Sequence, residues 1–372
     1  MYYIGYYTKP DDQRISSPAA NAKILSISEA LGRNAIDVEI LSTCTVARGR
    51  GWIRGRRFEL SDHVRCTQYG LYATKFGPLR RLQYYAANLR MFFTLLFKTK
   101  KNENVLFYHA IERGQAVLLA KRIKKFRLIL EVEEIYADAC ALLDHEKKVE
   151  QQVLSAADAY IFPTELLNQK INISNKPYVL IHGTYQCEED RNEAFDDDKI
   201  HVVYAGTLDE KKGGAWSSLA AAEFLPENYA MHILGFGTDK QMEKMRLETE
   251  RIKEKGGCAV SFEGTLTGEE YIRFIQKCHI GLSTQNPEAD YNDTSFPSKI
   301  LSYMANGLQV VSVRIPAVET SAVGQYMHYY DRQTPEEIAR AVLSVDVRDD
   351  SGRQVIESLC KAFERDICSV LR

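Results

Sequence analysis

Ser298 and Lys299 follow Phe296 and Pro297 in DTSFPSKILSYMANG, residues 293–307. A hydroxyl and a cation in the first turn of a helix, where backbone N–H groups lack intrahelical partners and the helix dipole is positive, make a seat for a phosphate. Pro297 suits the first helical position and Gly307 the left-handed residue past the helix end, so the spacing predicts a short helix between them. Ile300, Leu301, Tyr303 and Met304 supply its apolar face. A second cation, Lys212, stands in GTLDEKKGG, after the strand-like run HVVYAG (201–206) and before Gly213 and Gly214, which read as a flexible pair ahead of a helix start. Gly206 permits close backbone approach there, which suits a diphosphate. Two later strand ends, Gly235-Phe236-Gly237 and Glu263-Gly264-Thr265, repeat the small-residue pattern. Glycine-rich turns are common in α/β folds for packing reasons alone. Their repetition in one domain, followed by Ser298 and Lys299, points to a nucleotide.

The first half of the chain offers different chemistry. VLFYH (105–109) ends in His109, with Glu112 close behind, and LILEV (128–132) carries Glu131 and is followed by Glu133 and Glu134. Ligands of open α/β sheets collect beyond the carboxyl ends of the strands, so acceptor chemistry is expected at these positions, His109 and Glu131 first and Glu133 with them. The plain alternative is a solvated strand end. Ser16 and Ser17 lie in the polar loop after the first strand-like run, Tyr2 to Tyr7, where such folds present small residues to a ligand; a surface loop is the competing reading. No D-x-D element or His/Asp cluster has the spacing of a metal site, and neither a metal nor a resident cofactor is expected.

These residues need two domains to position them. The chain has 372 residues, 45% hydrophobic and 26% charged, too long for one ordinary domain. A formal charge of −2 disfavours a dedicated nucleic-acid binder, yet residues 1–100 hold 16 Lys and Arg against 7 Asp and Glu, and the remainder is acidic. The basic end suits an anionic surface. RGRGWIRGRR (48–57) is expected to be a solvated loop and no nucleic-acid element. Eight scattered cysteines without C-x-x-C read as reduced thiols of a cytoplasmic protein. MYYIGYYTKP lacks the pattern of a signal peptide, and no run reaches the ~20 apolar residues of a membrane span. From Gly77 to Lys101, Leu79, Leu82, Ala86, Leu89, Phe93 and Leu96 recur at helical spacing among six cations and no acid. Such a helix either packs on a core or lies at the interface of an anionic bilayer, which makes peripheral attachment at the inner face of the plasma membrane a second possibility.

Apolar runs alternate with helical segments throughout, and the acidic stretch QCEEDRNEAFDDDK interrupts them. The expected organisation is a Rossmann-like domain over 1–188 that holds the acceptor chemistry, a linker at 189–199, a second Rossmann-like, nucleotide-binding domain over 200–350, and a final helix in 351–372 packing back on the first domain. Thr334-Pro335-Glu336-Glu337 predicts a capping box that opens a helix through Leu343.

YAGTLDEKKGG, HILGFG, VSFEGTLTGEEYIRFIQKCHIGLS and FPSKILSYMANGLQVVS together resemble the nucleotide-sugar domain of GT-B glycosyltransferases of family 4, or group 1, over roughly residues 200–345. NVLFYHAIERG, SAADAYIFPTELL and VLIHGTY are more loosely similar to landmarks of the acceptor domain. The resemblance implies an α/β GT-B fold, two Rossmann-like domains with parallel sheets facing across a cleft. It implies metal-independent, retaining transfer of a hexose-type sugar from a UDP- or GDP-sugar to a glycan or polyprenyl-diphosphate-linked acceptor, as in bacterial surface-polysaccharide assembly. It places Lys212 and Lys299 on the donor diphosphate with Ser298 assisting, Gly237 near the sugar or phosphate, the Glu263–Thr265 turn near the base and His109 near the transferred sugar. The family commonly has arginine where this chain has Thr207, and glutamates where it has Thr294 and Ser302. A nucleotide-sugar epimerase and a catalytically silent partner of an active transferase are the alternatives.

Overall fold

The computed structural model describes residues 1–9, 12–15, 17–46, 51–139, 141–211, 213–289, 292, 294–348 and 351–372. They form two compact units, Met1–Ile181 together with Lys361–Arg372, and His182–Cys360.

The first unit opens β–α–β with β1 (Tyr2–Gly5), α1 (Pro18–Arg33) and β2 (Val38–Ser42). Next come β3 (Gly51–Ile53), β4 (Arg56–Ser61), β5 (Val64–Gln68) and β6 (Leu71–Ala73), so the basic segment expected as a loop is largely strand. Residues 48–50 lie outside the described residues. β3 pairs antiparallel with β6, and β4 pairs antiparallel with β5 at the edge of the main sheet. The backbone is bonded there while Arg56 and Arg57 face solvent, and a charged edge of this kind discourages further strand pairing. The unit continues with α2 (Gly77–Lys98), β7 (Asn104–Tyr108), α3 (Ile111–Lys124), β8 (Arg127–Glu131), α4 (Tyr136–Ala139), α5 (Asp144–Ala156), β9 (Ala159–Phe162), α6 (Glu165–Ile171) and β10 (Tyr178–Leu180). The strand order is β10-β9-β8-β7-β1-β2-β5-β4, parallel apart from β4. Near-continuous apolar strands suit a sheet covered on both faces, and Ile4, Leu41, Phe107, Leu128, Leu130 and Phe162 form its core. The helix α2 contributes only Met91 and Leu95 to the buried interior.

The second unit repeats the pattern with β11 (Ile200–Thr207), α7 (Gly214–Ala221), β12 (Tyr229–Phe236), α8 (Asp239–Lys255), β13 (Ala259–Gly264), α9 (Gly268–Gln276), β14 (Ile280–Ser283), α10 (Lys299–Ala305), β15 (Gln309–Val313), α11 (Pro316–Glu319), β16 (Met327–Tyr330) and α12 (Pro335–Leu343). Its sheet is wholly parallel, in the order β13-β12-β11-β14-β15-β16. Numbered along the chain, this is the 3-2-1-4-5-6 arrangement of a Rossmann sheet. β16 was not expected, because MHYY is short and follows a turn-rich stretch without alternation. Only half of the expected capping box forms at α12: Thr334 accepts from the Glu337 N–H, but the Glu337 carboxylate turns to the backbone and side chain of Arg332.

The last helix, α13 (Gly352–Asp366), starts in the second unit and ends in the first. There Glu364 pairs with Arg33 at 2.6 Å, and the final turn accepts hydrogen bonds from Arg127 to Val370 O (2.6 Å) and from Asn104 to Leu371 O (2.9 Å). Residues 189–199 have almost no regular structure but belong to the second unit. Phe195 stacks on His201 at 3.9 Å, and Glu193 pairs with Arg273 at 2.7 Å. A hydrogen-bonded row of side chains begins beside them: Asp197 to His201 Nε2 (2.7 Å), His201 Nδ1 to His232 Nε2 (2.8 Å), His232 Nδ1 to Ser261 Oγ (2.8 Å), and Ser261 Oγ to Glu263 (2.5 Å). Burial is the main cause pushing the His201 pKa below its ordinary value.

Candidate functional site

The strand order of the second unit reverses between β11 and β14, so the crevice beyond their carboxyl ends is the expected ligand position. Gly206 and Thr207 end β11 in register with Gly235 and Phe236 of β12. The helix α10 is tied to β11 by Tyr303, whose buried hydroxyl accepts a hydrogen bond from the Ala205 N–H at 2.8 Å. β14 lets this ring pass because residue 281 is glycine; a Cβ there would sit 2.3 Å from the Tyr303 ring. With α10 fixed, Lys299 Nζ lies 3.9 Å from the centroid of the Tyr204 ring. A Cβ at Gly206 would lie 3.1 Å from the same nitrogen. The ammonium is therefore held on an aromatic face against a side-chain-free stretch of backbone, at the point where the sheet order reverses.

The helix starts later than its proline predicts. Lys299 is the first helical residue and Ser298 caps it without a side-chain bond, while Pro297 closes a preceding turn through its carbonyl to the Ile300 N–H at 3.0 Å. Gly307 has the left-handed φ of +87° expected of it. Phe296 stacks on His182 at 5.0 Å and Ser298 is exposed. Thr294 is half-buried, and Ser302 lies 3.3 Å from the hydroxyl of Tyr271.

At the neighbouring strand ends, Thr265 donates to Gly235 O at 3.2 Å, and Gly264 takes a φ of +72°. Gly237 leaves room for Gln241, which completes a capping box with Thr238 at the start of α8. Glu263 is engaged along the sheet, its pKa lowered first by hydrogen bonding with His232 and further by Ser261.

Lys212 lies outside the described residues. The glycines after it are no flexible pair. Gly213 adopts a left-handed φ of +69° at the cap of α7, and Gly214 is packed so closely on β14 that a Cβ would come within 2.3 Å of Thr284 O. Thr284 Oγ1 donates back to Gly214 O at 2.9 Å and lies 2.7 Å from Ser218 Oγ. This seam ties the start of α7 to the carboxyl end of β14. Gly214→Ala is therefore expected to destabilise the second unit by about 1–3 kcal/mol, because the obstacle is backbone and cannot rotate away. An unchanged urea midpoint would refute the seam. Tyr204, Gly214, Thr284 and Tyr303 were not singled out from the sequence as site residues; Gly214 was read as part of a flexible pair, Tyr303 as apolar helix face and Tyr204 as part of the strand run before Gly206, and Thr284 gave no sign.

In the first unit the order reverses between β1 and β7. His109 follows β7, is 1% exposed, and stacks on Tyr136 at 4.9 Å; the Tyr136 hydroxyl donates to His109 O at 3.0 Å. Burial pushes its pKa down to about 4, so the ring is neutral at pH 7. Its Nε2 stands 3.6 Å from the buried Glu150 carboxylate. Glu131, at the end of β8, is wholly inaccessible and accepts a hydrogen bond from Tyr3. Burial first and the charge of Glu133 second hold its carboxyl above the ordinary carboxylate range. Glu133 is half-buried and paired with Lys23. Ser17 is exposed at the cap of α1, with Pro18 in the first helical position, and Ser16 lies outside the described residues. The structure thus gathers His109, Glu131 and Glu133 at one end of the first sheet, and Gly206, Thr207, Gly235 and Lys299 at one end of the second. Among the described residues no group of three or more His, Cys, Asp and Glu side chains could hold a metal ion, and no helix is long and apolar enough to cross a membrane.

Residues 199–345 match the family model of the group 1 glycosyl transferases. No curated protein matches the sequence. Among solved structures, the chain superposes on the Escherichia coli protein described as trehalose-6-phosphate bound with UDP-2-fluoro glucose, with a TM-score of 0.67, 12% identity, and 100% of this chain and 99% of that one covered. An α,α-trehalose-phosphate synthase (UDP-forming) from Burkholderia xenovorans, in complex with glucose-6-phosphate, gives a TM-score of 0.65 at 11% identity, covering 98% and 99%. Sucrose-phosphate synthase from Thermosynechococcus elongatus gives 0.63 at 14%, covering 100% and 94%. The family match thus lies within the second unit, and the fold of the chain is GT-B, with two Rossmann-like domains.

Proposed function

We propose that this protein transfers a sugar from a nucleotide-diphosphate donor to a glycan or lipid-linked glycan, with the donor held on the second unit. The observation that carries this reading is Lys299 Nζ on the Tyr204 ring beside Gly206, at the reversal of a Rossmann sheet. As the glycosidic bond breaks, negative charge grows on the leaving phosphate. A cation already fixed in place stabilises that charge more than it stabilises the ground state, with little reorganisation. Lys212 and Ser298 complete the diphosphate contacts, Glu263 to Thr265 face the base, and Thr207, Thr294 and Ser302 border the sugar and ribose. On the first unit, Glu133, with Ser16 and Ser17, serves the acceptor, while Glu131 and the neutral His109 ring, both buried, act only by supporting that end of the sheet. The donor is a UDP- or GDP-sugar, transfer is of hexosyl type with retention and without a resident metal, and the setting is surface-polysaccharide assembly at the cytoplasmic side of a membrane. The UDP-sugar analogue and the sugar phosphate held by the structural neighbours support this reading.

One observation favours a second reading, a silent partner of an active transferase: Ser302, where the family commonly has a ribose-binding glutamate, faces Tyr271 and is neutral. A thermal-shift screen of UDP-, GDP-, dTDP- and ADP-sugars, followed by donor-turnover assays, separates the two. The transfer reading expects one nucleotide class to raise the melting temperature and to be consumed, since a ligand that prefers the folded state must stabilise it. No shift and no turnover, with activity gained by a transferase mixed with this chain, would establish the partner.

A further inference from the structure

The helix α2 turns an apolar stripe outward. Leu82 (62% exposed), Tyr85 (62%), Leu89 (57%), Phe93 (42%) and Phe97 (77%) follow one another at three- and four-residue intervals, while the opposite side supplies Met91 and Leu95 to the core. Phe93 and Phe97 stack on each other at 5.9 Å, so the last turn of the stripe presents one aromatic surface. Soluble domains seldom leave so long a row of large apolar side chains in water without a use for it. Charge decides what covers it. No acidic residue occurs between Gly77 and Lys101, and Arg80, Arg81, Arg90, Lys98, Lys100 and Lys101 all do. At 3.6 residues per turn, Arg81 and Arg90 fall on opposite flanks of the stripe. The neighbouring α3, which packs beside α2, adds exposed Leu119 and Ile123 one turn apart, with the exposed Arg122 between them. A protein groove that accepted the stripe would need many acids placed to match; an anionic lipid surface supplies apolar depth and negative headgroups together.

We propose that α2, with the exposed end of α3, is a membrane-docking face that lies in the interface of an anionic bilayer. The apolar stripe enters the acyl boundary and the flanking arginines meet phosphate headgroups, so binding needs both. This inference is independent of the donor chemistry assigned to the second unit.

The test is co-sedimentation of the full chain with phosphatidylcholine vesicles, alone and with about 30% phosphatidylglycerol. The chain is expected to pellet with the anionic vesicles only, and to be released as NaCl is raised to about 0.5 M. The double variant Phe93→Ser, Phe97→Ser and the single variant Arg81→Glu each alter exposed positions and should melt as the parent does, while lowering the bound fraction at least about fivefold. Binding that ignores lipid charge, equal binding by the variants, or no binding would overturn the proposal. So would a dimer in sedimentation velocity that the double variant dissolves, since the stripe would then belong to a second copy. Nucleotide affinity measured on the same variants should be unchanged, which keeps failure here distinct from failure of the transfer reading.

Discussion

Lys299→Ala is expected to weaken binding of the donor nucleotide diphosphate by about 1.5–3 kcal/mol, roughly 10- to 150-fold, the range for losing a hydrogen bond to a charged group. The side chain is half-buried and gives up its contact with the Tyr204 face, so the melting temperature should move by only a few degrees. Binding and stability thus separate in this variant. Titration calorimetry with UDP and GDP checks it. Equal affinity in parent and variant would remove Lys299 from the donor site, and with it the observation on which the functional proposal stands.

His109→Gln should change how stability depends on pH. The parent ring titrates near 4 when folded and near 6.5 when unfolded. A group whose folded value is depressed contributes stability that is fully present above the unfolded value and is lost as pH falls toward the folded one. The loss over that window is at most about 3 kcal/mol, and glutamine, which does not titrate, lacks it. Glu131 and Glu150, both raised by burial, act in the opposite sense, their contributions fading as pH rises. The informative quantity is therefore the difference between parent and variant in urea melts at pH 7, 5.5 and 4. That difference should narrow toward acid; a constant difference would mean that the ring is accessible or already charged in the folded protein.

The strands were legible in the sequence where both faces are covered, because LILEV or HVVYAG admits few other readings. They were illegible where sheet edges carry charge: the strands from Gly51 to Ala73 hide in a basic segment whose side chains are solvated while its backbone is bonded. The period of α2 was plain, but a periodic apolar face reads alike whether it meets a core or water, and only the fold shows that most of it is exposed. At the candidate site, the chemistry of Lys299 was visible from its neighbours in sequence. Its aromatic seat was not, because Tyr204 is 95 residues away and meets it only through the crossing of Tyr303 over Gly281. Gly214 was misread for the same reason, since a glycine kept small by a distant carbonyl looks flexible until Thr284 is placed against it.

The row from Asp197 to Glu263 also fixes a hydrogen count. Its four bonds, through His201, His232 and Ser261, require four hydrogens between their heavy atoms. Two neutral imidazoles and one hydroxyl supply three. With both carboxylates ionised and both rings neutral, one of the four contacts therefore has no hydrogen of its own. Only the links from His201 to His232 and from His232 to Ser261 cross between strands, so β11, β12 and β13 share a chain of side-chain hydrogen bonds beside their backbone ladder.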